Sequence, residues 1–201
     1  MDTFKKICCI MAFCLGCFSG ISQNDKLVMS SKGSFDKKEL RDILDFQGMD
    51  YYKVSISGEQ LKNKNYYIVS KEFWKGKIKK TDTIFDSRQH EVFRIGKDTL
   101  AFRIMSGKTS EKNLRVQFFF ERFGINRNFK CTKSDAYSLR DSGTLSKINF
   151  GKPFYAFACI LPTEHKDGSK SWCEVDADAD MENWGKNLGI EHYLLFEMKF
   201  Y

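Results

Sequence analysis

From residue 50 onward, apolar and polar side chains alternate with a period of two. Tyr52, Val54 and Ile56 alternate with Lys53, Ser55 and Ser57. Leu100, Phe102 and Ile104 alternate with Thr99, Ala101 and Arg103, and Leu114, Val116, Phe118 and Phe120 with Arg115, Gln117, Phe119 and Glu121. Successive side chains of a strand point to opposite faces, so these segments read as half-buried β-strands. At the C-terminus His192, Leu194, Phe196, Met198 and Phe200 share one face, with Tyr193, Leu195, Glu197, Lys199 and Tyr201 on the other. Phe154–Leu161 is apolar on both faces and bracketed by Pro153 and Pro162, which predicts a central strand with fixed ends. Further strands are predicted at 66–74, 77–85, 91–95, 128–132, 144–150 and 171–175, and Ser106–Asn113 is expected to be a hairpin loop.

Ahead of residue 50 the period is helical. Asp36-Lys37-Lys38-Glu39 has the D-x-x-E capping spacing, Leu40, Ile43 and Leu44 follow at i, i+3, i+4, and Gly48 stops the run. A helix over 36–47 is predicted, its stripe packed on the core. A second, short helix is expected where Met181, Trp184 and Leu188 precede Gly189. Residues 23–34 are polar without a period and read as a flexible lead-in. So many short strands with turn residues between them predict a mainly β fold over 35–201, a two-layer antiparallel sandwich in one domain, with α+β as the alternative.

The first residues have a different character. Lys5 and Lys6 precede the uncharged run Ile7–Ile21, which is too short to span a bilayer comfortably, and Gly20-Ile21-Ser22 offers small residues for a signal peptidase. Residues 1–22 are therefore expected to be a cleaved signal peptide. The other processing route, acylation at Cys17, would make a lipoprotein. Cleavage removes Cys8, Cys9, Cys14 and Cys17 and leaves Cys131, Cys159 and Cys173. It also removes Asp2, Lys5 and Lys6, lowering the net charge by one from +7. No other stretch has the length and apolarity of a membrane span. Apolar residues at 42% exclude a disordered chain.

Few strings carry chemistry. Asp141-Ser142-Gly143-Thr144 matches the aspartic-protease pattern, in which two carboxylates share a proton; a single copy, preceded by Arg140, reads better as a β-turn. Asp176, Asp178, Asp180 and Glu182 have the carboxylate spacing that opens a calcium loop, but Met181 and Asn187 stand where that loop needs Gly and Glu. Helix capping is the favoured role and no cofactor is expected, with a low-affinity extracellular calcium site through these four carboxylates as the alternative. Gly107-Lys108-Thr109 lacks the remainder of a phosphate loop. His90, His165 and His192 have no metal-ligand spacing. A hairpin 155–161/171–175 turning at His165–Gly168 would bring Cys159 near Cys173, and a disulfide there is the expectation that follows. Read as one strand through 71–80, Lys71, Phe73, Lys75, Lys77 and Lys79 share a face, with Trp74 and Ile78 on the other. That face is either a solvated guard against edge pairing or a patch for anionic glycan or lipid headgroups. Trp74, Trp172 and Tyr51 or Tyr67 are the candidate sugar-stacking rings. Nucleic acid is not an expected partner, because no RNA-binding aromatic signature or zinc finger is present.

The leader, the body dense in Phe, Tyr and Lys, and the strings Ile43-Leu44-Asp45-Phe46-Gln47-Gly48 and Lys71-Glu72-Phe73-Trp74-Lys75-Gly76 resemble small exported proteins of unknown function from Bacteroidetes. The resemblance implies the periplasm or surface of a Gram-negative cell and no catalytic motif. The expected function is a non-catalytic binding module for glycan or an anionic surface. The alternatives are a subunit of an envelope complex and a hydrolase using Asp141.

Overall fold

Alternation in the sequence becomes antiparallel pairing in space. The computed structural model describes residues 26–33, 38–172 and 180–201. Their elements are β1 (Lys26–Gly33), α1 (Lys38–Phe46), β2 (Met49–Ser57), β3 (Tyr66–Trp74), β4 (Lys77–Asp86), β5 (Thr99–Ser110), β6 (Asn113–Phe119) and β7 (Gly124–Lys130). These are followed by β8 (Ser138–Asp141), β9 (Ile148–Asn149), β10 (Phe154–Ile160), β11 (Thr163–Glu164), β12 (Lys170–Ser171), α2 (Trp184–Asn187) and β13 (His192–Phe200). One sheet runs β7-β6-β5-β2-β1-β9 and the second β4-β3-β13-β10-β8, with β11 and β12 forming a separate ribbon. The fold is the expected mainly β antiparallel sandwich, with a short C-terminal helix.

The inner faces meet where the alternation placed them. Val54, Ile56, Ile104, Val116 and Phe118 pack against Ile68, Phe157, Leu194, Phe196 and Met198 in one buried cluster. Rings stitch the layers together: Phe118 meets Phe196 edge-on at 5.7 Å, and Phe102 meets Phe157 at 6.5 Å. Each such side chain, wholly withdrawn from water, contributes about 1.5–3 kcal/mol. The five-stranded sheet is also covered on its outer face, where Met181, Trp184 and Ile190 lie on Phe73, Ala158, Ile160, Tyr193 and Leu195. This double covering is why β10 and the first half of β13 are apolar on both sides.

The C-terminal cap is seated by two glycines. A Cβ on Gly185 would stand 2.5 Å from the backbone of Gly76, so only glycine lets α2 approach the β3–β4 turn this closely.

Several sequence expectations are corrected. The lead-in is strand β1, seated between β2 and β9, with Leu27 and Met29 in the core; the apolar Val28 between them hid the alternation. Helix α1 buries Leu44 alone, while Ile43 is 56% and Phe46 86% exposed, so its stripe does not pack as a unit. The proposed cap at Asp36 lies outside the described residues. The expected hairpin loop is strand as far as Ser110, and Glu111-Lys112 make the turn. Residues 91–95 hold a 3-10 turn at Glu91–Phe93, and 144–150 contributes only Ile148–Asn149 to a sheet. Strand β10 pairs with β13 and β8, and the turn at His165–Gly168 joins β11 to β12.

Candidate functional site

The strands expected at 66–74 and 77–85 form as β3 and β4, so the basic face drawn through 71–80 as one strand is divided between them. Lys75 and Gly76 both adopt positive φ, 49° and 72°, the pair of left-handed residues a tight hairpin turn needs. Lys71 and Lys79 therefore lie on different strands. Lys71 projects from the outer face of β3 and is fully engaged, with Nζ 2.6 Å from the Tyr155 hydroxyl, 2.8 Å from Glu182 and 3.0 Å from Glu197. Tyr67 donates to Glu197 at 2.6 Å, and Tyr155 donates to Glu182. Burial works against the ammonium charge, but the bonds to Glu182, Tyr155 and Glu197 outweigh it and hold Lys71 above its ordinary pKa. Contact with Lys71, then Tyr155, holds the Glu182 carboxyl below its own.

The aromatic candidates are engaged as well. The Trp74 indole donates to Glu72 at 2.6 Å and its ring lies 4.2 Å from that of His192. Arg140 sits 5.2 Å above Trp172. Tyr51 is buried and Tyr67 is bound to Glu197. Lys75, Lys77 and Lys79 remain exposed, joined by Lys80.

On the inner side of β3 is a cluster that motif spacing did not disclose. His192, wholly buried, has Nδ1 2.6 Å from the Tyr137 hydroxyl and Nε2 3.7 Å from Glu72. Tyr137 also accepts from the Thr132 amide at 3.1 Å, and burial pushes its hydroxyl up to about 12. The sequence signal was phase: His192 stands in register with Leu194, Phe196 and Met198, so it had to face inward.

Tyr137 is also part of the wall of a cleft of about 400 Å³ between the end of α1, strand β5 and the 135–137 segment. Phe46, Gln47, Ser106, Thr109, Ser110 and Asp135 supply a ring, an amide, three hydroxyls and a carboxylate. Lys108 holds the wall in place, donating to the carbonyls of Thr132, Lys133 and Ser134 at 3.2, 2.9 and 3.0 Å and pairing with Asp135 at 3.1 Å. A smaller hollow of about 250 Å³, lined in part by Arg41, Asp45 and Asp50, lies on another side of α1. Burial raises the Asp50 carboxyl even though the Leu139 amide donates to it at 2.7 Å.

The remaining candidates have structural occupations. Asp141 ends β8 and its carboxylate accepts from the Thr144 amide at 3.0 Å, from the Thr144 hydroxyl at 2.8 Å and from the Ser31 hydroxyl, which makes the Asp-Ser-Gly-Thr string a fastened turn. Glu182 is bound by Lys71, and Asp180 accepts from the Asn183 amide group at 2.5 Å. Asp176, Asp178 and Cys173 lie outside the described residues. Among the described residues no group of His, Cys, Asp and Glu side chains is arranged to hold a metal. Cys131 and Cys159 are free, buried thiols, each raised by desolvation; β10 is paired on its two edges by β13 and β8, and Ser171 pairs with Thr163 instead.

Fold and site together define an antiparallel β-sandwich with a ring-lipped polar cleft and a basic sheet edge. No known family, curated protein or solved structure matches the chain. Among the described residues no helix is long and apolar enough to cross a membrane.

Proposed function

We propose that the protein is an exported binding module of the cell envelope, without chemistry of its own, and that a glycan occupies the cleft between α1 and β5. The observation that carries this reading is Phe46, 86% exposed at the lip of a cleft otherwise rich in hydroxyl, amide and carboxylate groups. An exposed ring beside convergent hydrogen-bonding groups suits a sugar, whose apolar face stacks while its hydroxyls exchange water for protein partners. Trp74 and Trp172, the rings first expected to stack, are occupied within the fold, which moves the proposed site to Phe46. The Asp141 hydrolase reading loses support because that carboxylate already serves its own turn.

Glycan-array screening followed by calorimetry tests the proposal. Wild type is expected to retain at least one glycan, and Phe46→Ala to weaken it about tenfold, the equivalent of about 1.4 kcal/mol. Retention of no glycan by the wild type overturns it. The leader supports the envelope location, and N-terminal sequencing of the periplasmic protein is expected to begin at Gln23. Assembly into an envelope complex is the second reading, and the open edge of β4 favours it.

A further inference from the structure

The five-stranded sheet ends on β4, beyond which no strand is paired among the described residues. Lys77–Thr81 is exposed throughout, and the edge closes at Ile84, whose carbonyl accepts from Arg127 on β7 at 2.9 Å. A run of strand backbone from 77 to 83 is thus left open along one side. Such an edge is a template for another strand, and proteins commonly guard it with lysine. Here the guard is Lys75, Lys77, Lys79 and Lys80, of which only Lys80 has an acidic partner among the described residues, Asp82 at 3.0 Å. Lys71 lends nothing to this charge because Glu182 and Glu197 neutralise it.

The turn that leads into the edge is fastened to the C-terminal cap. The Lys75 amide donates to the Glu191 carbonyl at 2.7 Å, Gly76 rests on Gly185, and Phe73 stacks on Tyr193 with ring centres 4.5 Å apart. Ile78, opposite Phe73 in the register, is 52% exposed and gives the strand an apolar contact on its outer face. The other edge of the sheet, β8, offers only four residues and ends in the turn fastened by Asp141.

From this geometry we propose that β4 docks an extended, acid-rich polypeptide segment of a partner protein, which adds to the sheet as a further strand. Like charge opposes the pairing of two β4 edges, so a second copy is disfavoured by the feature that attracts an acidic strand. A row of open amide and carbonyl groups, interrupted by one bulge at Lys79 between Ile78 and Lys80, specifies polypeptide, because a lipid headgroup or polysaccharide would answer the lysines and leave the backbone unpaired. The fitting segment alternates acids with apolar residues, matching lysines on one side and Ile78 on the other. This surface shares no residue with the glycan cleft.

The test uses the whole exported chain and a fluorescein-labelled octapeptide alternating Glu and Val, followed by anisotropy and by amide hydrogen exchange on unmodified protein. The expected result is saturable, salt-sensitive binding with slowed exchange confined to residues 77–83. A Lys77→Glu/Lys79→Glu variant, checked for an unchanged urea midpoint, is expected to bind at least tenfold more weakly and to accept the Lys–Val counterpart peptide. Absence of peptide binding overturns the proposal, as does binding that leaves exchange at 77–83 unchanged. Capture of heparin or phosphatidylglycerol vesicles without capture of the peptide also overturns it, and would make the edge a surface for polyanions.

Discussion

Lys71 and Glu72 are neighbours on β3, yet they anchor polar clusters of different construction on opposite faces of the sheet. On the outer face Lys71 has every bond it can use, to two carboxylates and a phenol, and the rim is open to water, with Glu182 41% exposed. On the inner face Glu72 accepts from Trp74 and lies near a wholly buried imidazole whose Nε2 has no hydrogen-bond partner. The outer cluster ties the C-terminal cap to the sheet with charge, which is affordable where solvent still reaches the ions. The inner cluster holds His192 through the contact of its Nδ1 with the Tyr137 hydroxyl, with the Glu72 carboxylate 3.7 Å from the other ring nitrogen.

The sharpest way to break the contrast is Lys71→Met. Glu182 and Glu197 would then face each other without their cation, and the expected loss is about 2–3 kcal/mol, below the ~3–5 kcal/mol of a fully buried pair because the rim is wet. A urea midpoint indistinguishable from wild type would show that the outer cluster is no anchor. Adding Glu197→Gln to the same chain is expected to restore part of the loss, since one of the two facing charges is gone. Tyr137→Phe, the matching lesion on the inner face, leaves His192 Nδ1 and the Thr132 amide without their common partner. It is expected to cost about 1–2 kcal/mol by the same assay.

These clusters also mark what the sequence could disclose. The strands were legible because alternation is a local property, and His192 was inward by phase alone. β1 was not legible, since its two core residues are separated by Val28, which is 65% exposed and blurs the period. Lys71 was misread as solvated because the basic face was drawn as one strand across Lys75-Gly76, although the strands expected at 66–74 and 77–85 already divided there. Glu182 and Glu197, its partners, come from segments more than a hundred residues away. The cleft was invisible for the same reason: Phe46, Ser106 and Asp135 converge only through the pairing of β2 with β5 and the seating of the 132–135 loop by Lys108.

Acid sharpens the comparison with a smaller effect. Glu72 is held low chiefly by its contact with His192, and Glu182 chiefly by Lys71, so both carboxyls are more acidic in the folded chain than in the unfolded one. Their stabilisation is present above the ordinary carboxylate value of about 4.3 and is lost as pH falls through their lower folded values. Asp50, raised by burial, runs in the opposite sense and partly offsets the loss. Melting temperature is therefore expected to fall from pH 5 to pH 3, and more shallowly in Glu72→Gln. Parallel curves for the two proteins would remove Glu72 from the account. At the alkaline end the raised Lys71 gives stabilisation that is complete below about 10.4 and fades only above it.

The smallest effect belongs to the exposed edge. Lys80 and Asp82 lie 3.0 Å apart on β4 with both side chains well exposed, 63% and 43%. Water screens such a pair and ordering two long side chains costs entropy, so Asp82→Asn is expected to change stability by less than about 0.5 kcal/mol. The same substitution releases Lys80 and raises the positive charge of the open edge, so affinity for the Glu–Val peptide should increase while the urea midpoint stays put. A midpoint shift comparable to that of Lys71→Met would mean that ion pairs at the solvated edge and at the sheet's covered face do equivalent work. The contrast between enclosed and open charge on β3 and β4 would then have to be abandoned.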